Sequence, residues 1–192
     1  ATTAMHGRWL YGPGAQFFRA ITAALGEVAI IAEDLGDFSC ESRSAVNALQ
    51  NEFEYPGMRV LQFAFNGNPH DPFLPHNYSR DSIVYTGTHD NNTSVGWFQN
   101  DATEWNGDFA CRYLHSNCTD IAWDLIKLAW SSVAHTAIAT VPDLLSLGEE
   151  ARMNTPGTVG APNWSWRMKP GALNEHVAIR LRELTTIYGR LP

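Results

Sequence analysis

The stretch SIVYTGTHDN, residues 82–91, sets an apolar, β-branched run directly against a histidine and an aspartate. Residues 82–88 are too brief for a core helix and too apolar for a loop, so they read as a buried strand. The stretch IIAEDLG, residues 30–36, has the same form: an apolar run, taken as strand 28–32, stops at Glu33, Asp34 and a glycine. Two more runs, MRVLQFAF (58–65) and TAIATV (136–141), make four strands. Helical spacing fills the intervals. Phe17, Ile21 and Leu25 share a face in 15–25, and Val46, Leu49 and Phe53 share one in 42–54. Ile121, Leu125 and Leu128 do so in 120–133, and Leu173, Val177, Leu181, Leu184 and Tyr188 in 173–188. Gly26 and Gly189 stand where helix C-caps belong.

A leading helix followed by four strand–helix pairs predicts an α/β fold with a parallel sheet and right-handed crossovers. A doubly wound dinucleotide fold would place a glycine-rich turn after its first strand. Here that turn is EDLGDF (33–38), with one glycine and several acids, which disfavours it. Four βα units amount to half of a (β/α)8 barrel, a fold that needs about 250 residues. Half a barrel leaves two edge strands without partners, and 28–32 and 136–141 are the candidates. The chain therefore reads as a fragment, or as one completed by something else. No internal repeat, low-complexity tract or interdomain linker is visible in the sequence.

Composition narrows the partners. The 192 residues carry 13 basic and 20 acidic side chains, for a net charge of −7. No Lys/Arg cluster is present, which argues against nucleic acid and against an anionic membrane surface. No apolar stretch is long enough for a membrane span. Cys40, Cys111 and Cys118 make an odd count with no CxxC, so neither a disulfide framework nor a zinc cage is favoured and reduced thiols are expected. Seven tryptophans point to core packing or to flat platforms for sugar rings.

In a barrel the chemistry sits at the C-terminal ends of the strands. By that rule Glu33 and Asp34 end one strand, Phe65 and Asn66 another, and His89, Asp90 and Asn91 a third. Carboxylates on neighbouring strand ends are the equipment of glycosyl transfer, one donating a proton and another attacking or stabilising a cationic sugar. Side chains alternate along a strand, so Glu33 is taken as the inward acid and Asp34 as the partner of nearby groups. Asp143 opens a helical stretch and reads as an N-cap. Zinc binding through His70, His76, His89 and Asp90 lacks any HxxxH or HExxH spacing. A Ser–His–Asp triad lacks a GxSxG elbow. Two long polar segments, 66–81 and 151–172, carry histidines, tryptophans and arginines, and loops of that length are usually functional.

Taken in order, IIAEDLG, PGMRVLQFAF, LPHNY, YTGTHDNNTSVGW, RMNTPGT and NWSWRM resemble the amylomaltases, the 4-α-glucanotransferases or disproportionating enzymes. TAMHGRWLYGPG (3–14) and YGRL (188–191) extend the likeness to nearly the whole chain. The resemblance implies a partial catalytic domain over residues 1–192, comprising barrel strands five to eight and their helices. It implies that Glu33 is the general acid/base and Asp90 the carboxylate that binds and distorts the sugar. His89 would bond the same glucose, Asn154 and Pro156 would line the donor side, and Phe65 and Trp164 would lie nearby. It further implies transfer of α-1,4-glucan segments between maltooligosaccharides with retention, no metal or organic cofactor, and a bacterial cytoplasmic or plastid setting. The family's nucleophile is an aspartate in an RIDH-like motif, and no such motif occurs here, so an N-terminal half is the implied partner. The sequence also has Val141-Pro142-Asp143 where the family has Met-Gln-Asp. Non-catalytic glucan binding and an incomplete fragment without its own role are the alternatives.

Overall fold

The computed structural model describes residues 10–36 and 40–191, in two compact units that meet in sequence between Gly57 and Met58. The first unit contains α1 (Ala15–Leu25) and α2 (Cys40–Glu52). Gly26 ends α1 as the sequence predicts, with φ of 75° and its N–H donating to the carbonyl of Thr22 at 2.9 Å. Phe18 packs on Phe53 and on Tyr55 at 5.3 Å each, and Arg19 pairs with Glu52, so aromatic contact and charge join the two helices.

The predicted strand at 28–32 is reduced to one parallel bridge, between Ala32 and Gly57, with Ala32 N–H donating to Pro56 O at 3.0 Å. Val28 and Ile31 are exposed. A strand of a parallel sheet needs cover on both faces, and these two side chains are left largely open. Gly57 is fixed by close approach: a Cβ there would lie 2.7 Å from Asp34 Oδ2 and 2.5 Å from Gln50 Nε2.

The second unit is built on a three-stranded sheet in the order β1 (Gly57–Val60), β2 (Ser82–Tyr85), β3 (Thr136–Ile138), β1 starting at the last residue of the first unit. β2 and β3 are parallel, with Ile83 opposite Thr136 and Tyr85 opposite Ile138. The run 58–65 is strand only at its start, because Leu61–Phe63 turn into a 3-10 helix. After β2 come the single turn α3 (Ser94–Gly96), the π-helical segment Trp97–Asp101, and α4 (Glu104–Leu114). Helix α5 (Ile121–Ser131) leads to β3, α6 (Val141–Leu144) follows it, and α7 (Glu175–Ile187) comes last. Leu61, Phe65, Leu74, Val84, Leu125 and Ala129 are buried in one cluster, so β2 is covered by apolar residues as its sequence requires. The predicted stripe of α7 is half-buried at Val177, Leu181 and Leu184, and Trp130 of α5 donates its indole N–H to Thr185 at 3.1 Å.

Two expectations change. Cys111 and Cys118 form a disulfide, their Cα atoms 5.6 Å apart. Cys111 lies near the end of α4, and the turn that follows, with His115 at φ 50° and Cys118 at φ 56°, folds the chain back on itself. That reversal, not motif spacing, sets the distance, so counting cysteines could not find it. Cys40 has no described side chain. Asp143, read as an N-cap, sits one turn further in. Thr140 caps α6, accepting from Asp143 N–H at 3.3 Å. The Asp143 carboxylate is fully buried, accepting from Thr86 Oγ1 at 2.5 Å and from Ser94 N–H at 2.7 Å. It thus ties the end of β2 to the start of α3.

Removing that carboxylate leaves a hydroxyl and an N–H buried without an acceptor, which costs about 3 kcal/mol. Asp143→Ala is expected to lower the denaturation midpoint by that amount, and Thr86→Val by less. A change below about 1 kcal/mol for Asp143→Ala in chemical unfolding would rule out the bracing role. Tyr78 gives a pH test. It is buried and donates its hydroxyl to Phe73 O at 2.8 Å, and desolvation pushes its pKa far above the ordinary phenol value. Its contribution is full below the unfolded-state pKa of about 10 and declines as pH rises beyond that. Tyr78→Phe should flatten the stability–pH curve between about pH 9 and 11.

Candidate functional site

Backbone geometry after β2 decides which side chains are presented. Thr86 N–H donates to Ile138 O at 3.1 Å, carrying the ladder one residue past β2. The chain then turns at 88–91. Asn91 Oδ1 accepts from Thr88 N–H at 3.0 Å and from Thr88 Oγ1 at 2.8 Å, and Asp90 N–H donates to Thr88 Oγ1 at 3.2 Å. Such side-chain-closed turns are what Asn and Thr supply. Gln62 braces the far side, its amide donating to Asn92 O at 2.9 Å. A Cβ on Gly87 would lie 2.7 Å from that amide nitrogen, so a larger residue would displace the Gln62 bond. The middle residues of the turn, His89 and Asp90, therefore face outward from a fixed frame.

The 151–172 segment meets them there. Asn154 Nδ2 donates to Asp90 Oδ1 at 2.6 Å, while His89 Nε2 lies 3.4 Å from Asp90 Oδ2. Arg152 holds both backbones, Nη2 donating to Asp90 O at 3.1 Å and Nε to Asn154 O at 2.9 Å. Trp164 stacks on His89 with ring centroids 5.2 Å apart and planes inclined by 35°. It does so from a left-handed backbone, φ 61°, which costs a tryptophan about 1–3 kcal/mol. The loop holds it there: Trp164 N–H donates to Met153 O at 2.7 Å, and Arg167 Nη1 donates to Trp164 O at 3.0 Å.

His89, Asp90, Asn154 and Trp164 are thus brought together, with Asp90 still partly open to solvent. A carboxylate fixed by a neutral amide beside an exposed aromatic pair suits a sugar, whose hydroxyls donate and whose C–H faces stack. Pro156 is exposed, two residues beyond Asn154. Phe65 departs from expectation. It is 1% exposed and packs on Trp97 at 5.6 Å, so it belongs to the core and not to the wall of this cluster. The run 58–65 turns at Leu61, and this change of period sends Phe65 inward. Glu33 belongs to the first unit, where its side chain is exposed, one residue beyond the Ala32 bridge. The adjacent Asp34 is buried, and its carbonyl accepts from Arg43 Nη1 at 2.9 Å.

Sequence reasoning missed Arg152. Its signal is its place two residues before Asn154 in RMN, where a long cation can span two backbones. His76 of the 66–81 segment has structural work, contacting Tyr113 Oη at 2.9 Å through Nδ1 and Pro69 O at 2.8 Å through Nε2. Among the described residues no three His, Cys, Asp or Glu side chains group as metal ligands. Among them, too, no helix is long and apolar enough to cross a membrane.

Comparison with known proteins agrees with the motifs. A family model for 4-alpha-glucanotransferase matches residues 1–174. A 4-alpha-glucanotransferase of Synechocystis sp. is 48% identical over 98% of this chain and 37% of its own length. That of Thermus thermophilus is 44% identical, with 98% and 38% covered. The chloroplastic/amyloplastic enzyme of Arabidopsis thaliana is 44% identical, with 100% and 33% covered. The amylomaltase of Streptococcus agalactiae in complex with acarbose superposes with a TM-score of 0.87 at 35% identity, over 97% of this chain and 37% of that one. The chain thus spans 33% to 38% of the length of these proteins. On the match to most of its length, and on the close likeness of these relatives, the chain belongs to the 4-alpha-glucanotransferase family.

Proposed function

We propose that this chain is the C-terminal half of a (β/α)8 glucanotransferase barrel, supplying strands five to eight and two of the three carboxylates of a retaining transglycosylation. The observation that carries the reading is the cluster of Asp90, Asn154, His89 and Trp164 in a chain of this family. In this reading Glu33 protonates the leaving glycosidic oxygen, then takes the proton of the acceptor sugar's hydroxyl. Asp90, oriented by Asn154, binds hydroxyls of the reacting glucose and stabilises the positive charge that develops on its ring. His89 bonds the same sugar, and Trp164 backs His89. Pro156 would line the donor side. The substrate is α-1,4-glucan, and the cleaved bond is C1–O4 of a maltooligosaccharide. A nucleophilic aspartate must stand about 5–5.5 Å from Glu33 for retention, and in this reading it comes from a complementary N-terminal half. No cofactor takes part in any step. The relatives include bacterial and chloroplastic proteins, which supports a cytoplasmic or plastid setting.

The 192-residue chain alone should neither release glucose from maltotriose nor build a ladder of longer sugars; clear turnover would overturn the proposed division of carboxylates. Adding the N-terminal portion of a relative should restore activity, and Glu33→Gln should abolish it again.

A second reading, glucan binding without catalysis, is favoured by the exposed Trp164–His89 stack. Calorimetry with maltoheptaose separates the two. Trp164→Ala should weaken binding by about tenfold, the loss of an aromatic contact of roughly 1.4 kcal/mol. Asn154→Ala, which frees the Asp90 carboxylate, should weaken it comparably. Binding by the chain that persists while the complemented mixture stays inactive would favour the second reading.

A further inference from the structure

The N-terminal ends of β2 and β3, opposite the ends that lead to Asp90 and to α6, border a cavity of about 580 Å³. It lies between the last turn of α7, the end of α5 and the segment entering β3. Its volume falls within the range of small-molecule sites and is far more than an inorganic ion fills. Two arginines and a histidine line it, Arg80, Arg190 and His135, and no carboxylate does. The chain as a whole carries a net charge of −7, so this lining is opposite in sign to the protein's overall balance. Asp81 follows Arg80 in sequence but does not line the cavity.

The groups divide into a wall and a set of free donors. Arg190 makes the wall. Its Nε donates to Trp130 O at 2.8 Å, and its Nη2 donates to Ser132 O and Ala134 O at 2.9 Å each. These carbonyls lie at and just beyond the C-terminus of α5, where exposed oxygens repel an anion; the guanidinium over them cancels that repulsion. Trp130 is held through its indole bond to Thr185 and offers its ring as an apolar surface. The free donors are others. Among the described residues, neither the Arg80 guanidinium nor the Tyr188 hydroxyl has a hydrogen-bond partner, and His135 uses only Nδ1, at 3.2 Å from Thr136 Oγ1. Arg80 is anchored nonetheless, because its carbonyl accepts from His135 N–H at 2.9 Å.

We propose that this cavity binds a phosphate monoester of a small organic molecule. Arg80 supplies the charge-assisted contact to the phosphate, Tyr188 and His135 supply further donors, and Trp130 packs the organic part. A guanidinium is suited to two phosphate oxygens at once, and the spare volume beside Trp130 calls for more than the phosphate itself.

The test is titration of the chain with inorganic phosphate, glucose 6-phosphate, AMP and glucose, followed by calorimetry and by amide chemical shifts. Saturable binding of glucose 6-phosphate or AMP is expected, tighter than inorganic phosphate, with shifts at residues 80, 130–137 and 185–190. Which of the two binds more tightly distinguishes a sugar from a nucleobase as the organic part. Arg80→Glu should weaken binding by about tenfold or more, the cost of one charge-assisted contact. Arg80→Lys should recover part of it, and Tyr188→Phe should lose less than Arg80→Glu. Circular dichroism confirms that each variant is folded. Absence of saturable binding by the folded chain overturns the proposal, as does affinity unchanged by Arg80→Glu. Loss of binding when a complementary N-terminal half is added overturns it as a site of the assembled protein. Binding of glucose as tight as that of glucose 6-phosphate also overturns it.

Discussion

The buried carboxylate of Asp143 is the constraint on which the second unit's presentation of chemistry depends. It accepts from Thr86, at the point where β2 ends, and from Ser94, where α3 begins. The seven positions between those two residues contain the outward turn, so one side chain from after β3 fixes both ends of it. A charge without solvent is costly unless it is hydrogen-bonded, and here both carboxylate oxygens are used. The arrangement couples the third strand's exit to the second strand's exit, which is how a parallel sheet holds neighbouring loop ends in register.

Much of the fold was legible because local chemistry and final structure agree. The helix at 15–25 and its glycine cap form as read, but Phe17 and Leu25 of its apolar face lie exposed and Phe18 makes the packing contacts. The strand at 82–85 is buried at nearly every position, so an uninterrupted apolar run described it well. The run at 28–32 is just as apolar, yet Val28 and Ile31 lie exposed. A parallel strand is specified by its neighbours as much as by its own residues, and one strand's sequence does not contain them. Phe65 turns inward for another reason. A strand reading extends its two-residue period to the end of the run, and the 3-10 turn at Leu61–Phe63 breaks that period.

In the candidate cluster His89 and Asp90 were legible, and their frame was not. His89 and Asp90 stand out because a histidine and an aspartate close an apolar run. Asn154 was named only through family likeness, and Arg152 was not named, since its work is to bind two carbonyls 62 positions apart in one case and two in the other. Asp143 was seen as a helix cap and is one in part, for α3 instead of α6. The disulfide shows the same limit: its closure depends on left-handed residues at 115 and 118, which neither residue type advertises.

The turn at 88–91 separates two kinds of commitment. Thr88, Asn91 and Asn92 spend their polar groups on the chain itself, while Gly87 leaves room for Gln62. Positions 89 and 90 contribute side chains whose tips the turn does not use to hold its shape. Chemistry and architecture are thus assigned to different residues within ten positions of one another. Substitution of the outward pair leaves the bonds of the loop in place, whereas substitution in the frame removes one of them. This segment is a socket, and what it holds is replaceable.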